Sequence, residues 1–168
     1  LSTIGYAVPG TVLAVGVFVP VAWLDNQLLA YLPNEAGAIL KGSLWVMMWA
    51  YVVRFLAVGY SSVDAAMQRV TVSQEQAARS LGVSGLALLR RLHLPLMRGG
   101  LWTALMLVFI DVMKEMPITL MTRPLGWDTL SVRIFSLTTE GLWQEAALPA
   151  LALIVVGVLP VIYVARQR

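Results

Sequence analysis

From Leu1 to Leu24 the chain carries no charged residue, and its apolar character from Val12 to Val21 is continuous. An α-helix rises about 1.5 Å per residue, so about 20 such residues match the hydrocarbon thickness of a bilayer. That length argues against a buried helix of a soluble domain. The pattern predicts a first spanning helix from about Ile4 to Trp23, made irregular by Pro9, Gly10 and Pro20. A second runs from about Ala36 to Tyr60, and a third from near Gly99 to about Glu115, where Pro117 ends regular helix. Ala146 to Ala165 supplies a fourth, uncharged span.

Composition agrees with this reading. Only 12% of residues are charged and 59% are hydrophobic, against roughly 25% charge in a soluble domain. The predicted class is an all-α integral membrane protein. A net charge of +3 is too small to suggest nucleic acid, and none is expected as a partner. The absence of cysteine and the single histidine exclude disulfides and Cys/His metal sites within this sequence. Leu1 opens almost directly into an apolar run without an initiator Met, which reads as the C-terminal portion of a longer chain.

Charge distribution sets the expected topology. The segment 61–98 holds Arg69, Arg79, Arg90, Arg91 and Arg98 against Asp64 and Glu75, which places it in the cytoplasm. After two further crossings, Arg166 and Arg168 anchor the C-terminus on the same side. Asp25 to Glu35, with Asp25-Asn26, Tyr31 and Pro33-Asn34, is expected as a short polar link on the opposite face. Thr119 to Gln144 is expected there too, as a structured loop containing Gly126, Trp127 and Trp143. Trp45, Trp49 and Tyr51 are expected to pack against neighbouring helices. Arg54 is expected to snorkel to the interface, and His93 to lie at an interface beside Pro95.

The longest polar and basic passage, Ser73 to Pro95, carries its own punctuation. Ser73 and Gln76 have the spacing of a capping box, Gly82 stands where a left-handed residue closes a helix, and Ser84 is placed to cap a second helix to about Leu92. Pro95 is expected to interrupt it. An amphipathic hairpin lying on a membrane would have a similar outline. The spacing also resembles the cytoplasmic coupling motif of ABC importer permeases: Glu-Ala-Ala, then Gly, nine residues, an aliphatic residue, one residue, Leu-Pro. Ala77, Ala78, Gly82, Leu92, Leu94 and Pro95 fall at matching positions. The family's glutamate position holds Gln76, with Glu75 one residue earlier, so either side chain is a candidate for the contact to an ATPase.

This resemblance implies a type I importer bundle of about four transmembrane helices plus a cytoplasmic coupling helix pair. Residues 1–168 form one permease domain, with 61–98 as its coupling loop. The implied setting is a bacterial inner membrane. The implied partners are an ABC ATPase subunit that binds the ATP, a periplasmic or lipoprotein solute-binding protein, a second permease half or subunit, and lipid. No cofactor is expected in this chain. It shows no Gly-x-x-x-x-Gly-Lys loop and no acid/base constellation, so it is not expected to be an enzyme.

The segments Phe109 to Pro117, Arg123 to Leu130 and Glu145 to Pro149 resemble permeases for ferric iron. Asp111, Lys114 and Glu115, at spacings of three and four, share one helix face and can pair with one another. Two readings follow: an interfacial ion cluster that ends the helix, or a pathway site where Asp111 and Glu115 offer hard oxygen ligands to a ferric ion in transit. No stable metal site is expected. Thiamine or a polyamine are alternative solutes. A secondary transporter is the rival class, although it has no reason to hold the Gly82-to-Pro95 spacing.

Overall fold

The computed structural model describes residues 8–32 and 37–166, without the side chains of residues 163 and 164. Ile4, the Pro33-Asn34 turn, Glu35, Ala36 and Arg168 lie outside that description. The described residues form helices and connecting turns only: α1 (Gly10–Leu29), α2 (Leu44–Met67), α3 (Val72–Ser80), α4 (Gly85–Leu88), a π-helical turn (Leu89–His93), α5 (Leu94–Lys114), α6 (Pro117–Thr122), α7 (Leu130–Thr139) and α8 (Trp143–Arg166). Four of these stretches are long and apolar enough to cross a membrane: α1, α2, the continuous run Gly85–Lys114, and Trp143–Ile162 of α8. This is the all-helical architecture of a multi-pass membrane protein.

Helix α2 packs along α5, α1 lies on α6, and α8 is held by α5 and α7. A small core joins α1, α2 and α6 through Ala14, Ala50, Tyr51, Phe55 and Ile118. Small residues bring the helices together, as expected where apolar side chains gain little by leaving lipid. One tight approach is at Gly100 of α5, where an added Cβ would lie 2.2 Å from the Cβ of Ala66 on α2. Large apolar residues such as Val19, Trp49, Leu56, Leu151 and Ile154 face outward. That is the reverse of a soluble domain.

Several boundaries differ from the sequence reading, each for a local reason. Asp25 does not begin a polar link; it sits inside α1 and is fully buried. Its Oδ1 accepts the N–H groups of Ile39 (2.9 Å) and Leu40 (2.8 Å), and its Oδ2 that of Lys41 (3.4 Å). Residues 39–41 are thus tied into a turn, Gly42 follows with φ +70°, and α2 starts only after Ser43, whose Oγ accepts the Trp45 N–H. At its other end α2 runs on to Met67, taking in Asp64, which accepts a hydrogen bond from Gln68 one turn later. Trp45 and Trp49 face outward instead of packing, and only Tyr51 of the three aromatics is buried.

The capping box forms two residues earlier than the Ser73 and Gln76 spacing predicts. Thr71 Oγ1 accepts the Gln74 N–H and Gln74 Oε1 accepts the Thr71 N–H, so Ser73 and Gln76 are helical residues and not the box. Starting two residues earlier gives the short helix additional backbone hydrogen bonds.

Pro95 does not interrupt the second loop helix. The Leu94 N–H reaches the Leu89 carbonyl, five residues back, and the next residue is the proline, which has no N–H to place. The wide π turn absorbs it, and one helix continues from Gly85 to Lys114. Thr119 to Gln144 is likewise not one loop: Thr119 is completely buried in α6, and the stretch also holds α7.

Candidate functional site

The segment 61–98 takes in the end of α2 and then α3, which buries none of its residues. This short helix closes in a full Schellman turn: Gly82, at φ +79°, donates to the Arg79 carbonyl (2.9 Å) and Val83 donates to the Ala78 carbonyl (3.0 Å). Gly82 therefore occupies the left-handed position expected of it. Ser84 is extended at the head of α4, but its side chain makes no capping bond. Gln76 and Ala77 are exposed, Ala78 is half-buried, and Val72 and Leu81 add apolar surface to the exposed face of the segment. Leu92 is half-buried in the π turn, while Leu94 and Pro95 are exposed.

Glu75 points away from that exposed face. Its Oε1 lies 3.3 Å from Nε2 of buried His93, and its Oε2 lies 3.9 Å from Arg79. The structure thus brings Glu75 to the spanning helix and leaves Gln76 facing outward.

The second group surrounds Glu115, which ends α5 with extended backbone (φ −71°, ψ 113°). Its Oε2 lies 2.8 Å from Arg54 Nε, in a pair where Arg54 is 17% and Glu115 6% exposed. Oε1 accepts the Ile118 N–H (3.2 Å) and so orders the first turn of α6. The Glu115 carbonyl accepts from Thr119 Oγ1 (2.8 Å) and Ser131 Oγ (3.1 Å). Tyr51 and Thr119 share a short hydrogen bond. Arg54 also donates to the Val8 carbonyl (3.2 Å).

Glu115 therefore does not join Asp111 and Lys114 in one cluster. Asp111 pairs with Lys114 at 3.1 Å, and Lys114 is 61% exposed. The two carboxylates are matched by different cations, and among the described residues no three His, Cys, Asp or Glu side chains converge as a metal site would require. Arg54 is not a snorkelling anchor but the partner of Glu115. The sequence reading missed Thr119 and Ser131 as members of this network. For Arg54 a signal existed: a charge inside an apolar span is costly and is usually paired.

No family model matches the chain. Curated relatives do. Over 120 residues it is 35% identical to a protein of Salmonella typhimurium strain LT2 provisionally named 2-aminoethylphosphonate transport system permease protein PhnV, covering 71% of this chain and 45% of that one. The counterpart in Salmonella typhi is 34% identical over 120 residues, again 71% of this chain and 46% of the relative. The chain is similar to transport-system permeases. A third relative, the Fe(3+)-transport system permease protein FbpB 2 of Haemophilus influenzae strain Rd, is 27% identical over 156 residues, 93% of this chain and 28% of the relative. This permease-like chain thus spans less than half the length of the relatives it matches, and those relatives are named as permeases, not as enzymes.

Proposed function

We propose that the chain is part of the membrane-spanning permease of a bacterial ABC importer, in the inner membrane, with 61–98 and the C-terminus in the cytoplasm. The observation that carries this reading is mechanical. An exposed short helix, closed by the Gly82 turn, leads directly into one 30-residue helix from Gly85 to Lys114. A push on Gln76, Ala77 and Ala78 is then a push on a rod that reaches the Glu115 network. ATP is bound and hydrolysed on a separate ATPase subunit that docks on this surface. A solute-binding protein and a second permease half complete the assembly.

For the solute, we favour a small organic anion of the 2-aminoethylphosphonate kind over ferric iron. Support comes from the higher identity to the phosphonate-named relatives. It comes also from the pairing of Asp111 with Lys114 and of Glu115 with Arg54, which leaves neither carboxylate as an uncompensated hard ligand. Ferric iron stays as the second reading because the iron-named relative matches 93% of the chain. The test is uptake by the complete importer in proteoliposomes, with its ATPase and binding protein. Saturable, ATP-dependent uptake of radiolabelled 2-aminoethylphosphonate, not competed by ferric citrate, is expected. Uptake of iron alone would reverse the choice, and uptake driven by an ion gradient without ATP would defeat the importer reading.

A further inference from the structure

Among the described residues, one polar side-chain contact leaves α3 for another element: Glu75 to His93. The remaining side-chain bonds of this helix and its cap are local, between Thr71 and Gln74, Ser80 and Ala77, and Arg79 and Glu75. With no buried residue of its own, α3 is otherwise held by its backbone connections, and the one that leads into the spanning helix bends at two left-handed glycines, Gly82 and Gly85. A helix fixed at one end swivels about that end; a second attachment turns it into a lever. His93 is buried in the π turn near the head of the long helix, and among the described residues its Nδ1 has no partner. A wide turn of this kind is a place where a helix adjusts locally.

We infer that His93 is a positioning residue for coupling: through Glu75 it fixes the orientation of α3 on the spanning helix, so that displacement of α3 is carried into Leu94–Lys114. Glu75 is then engaged inward, and Gln76 is the side chain presented to the ATPase. The inference rests on the importer reading above and names which of two adjacent residues serves which contact.

The test uses the full permease assembled with its ATPase in nanodiscs. The segment contains no cysteine, so spin labels at Ser80→Cys and at Leu105→Cys, an exposed site on α5, report the position of α3 relative to the rod. In the parent a narrow distance distribution that shifts on ATP binding is expected. His93→Gln loses the narrow distribution while still retaining the ATPase on co-purification. Glu75→Gln gives the same loss, and the double variant goes no further, since both changes break one contact. Because Glu75 lies on a helix that buries nothing, its variant separates a lost strut from a misfolded core. A parental distribution in both single variants overturns the inference, as does loss of the ATPase in Glu75→Gln with Gln76→Ala silent. A parent complex that retains no ATPase overturns the importer reading itself.

Discussion

Arg54 Nε lies 2.8 Å from Glu115 Oε2, joining the middle of α2 to the break between α5 and α6. The start of α1 closes over the pair: a Cβ on Gly10 would stand 3.2 Å from an Arg54 terminal nitrogen and 3.3 Å from Glu115 Oε1. Three elements thus meet at one ion pair, and the glutamate also accepts the Ile118 N–H at the start of the next helix. Its energetic logic is that of a buried charge, whose desolvation is tolerable only while its partner and hydrogen bonds are present.

Removing one member is therefore expected to cost about 3–5 kcal/mol, because it strands the other. Arg54→Met and Glu115→Gln should each lower the thermal unfolding midpoint sharply in detergent. The double variant is expected to be much less destabilised than the two singles added together. Strict additivity would show that the two side chains do not stabilise each other.

The contact between α2 and α5 has no spare volume at Gly100. Gly100→Ala would bring a Cβ to 2.2 Å from Ala66 Cβ, which forces the helices apart; overpacking of this kind costs about 1–3 kcal/mol. Gly99→Ala, with nothing within 4 Å of its added Cβ, is the matched control. Thermal unfolding is expected to single out Gly100→Ala, and Ala66→Gly in the same chain to restore part of the loss.

At Gly82 the backbone conformation is the constraint, since an added Cβ meets no atom within 4 Å but φ is +79°. Gly82→Val places a β-branched residue in the left-handed region at a cost of about 1–2 kcal/mol and loosens the Schellman turn. The variant is expected to insert in the membrane normally and to lose association with the ATPase, as measured by co-purification. Gly82→Asn, which tolerates this conformation better, is expected to lose less.

Asp111 and Lys114 form a partly exposed pair, with side chains 22% and 61% accessible. Such a pair contributes about 0–1 kcal/mol, so Asp111→Asn with Lys114→Gln is expected to leave the unfolding midpoint nearly unchanged. Uptake of 2-aminoethylphosphonate is expected to fall all the same if this pair borders the pathway. Uptake equal to the parent would leave the pair as an interfacial cluster.

What the sequence determined by itself was local. The length of each apolar run set the number of spans, since thickness and helical rise are fixed quantities, and Gly82 announced its turn because few other residues adopt that conformation without strain. The tertiary structure decided everything that depended on which distant group arrived. Asp25 has the sequence signature of a loop residue, yet the N–H groups of Ile39, Leu40 and Lys41 draw it inside and delay α2. Ser73 has the spacing of a capping box with Gln76, yet Thr71 and Gln74 form the box and lengthen the helix. Glu115 had Lys114 and Asp111 as neighbours in sequence, but the end of α5 turns its carboxylate toward Arg54 on another helix. Spacing along one helix states which residues share a face; it does not state what that face meets, and a charge in an apolar setting goes to the partner that neutralises it.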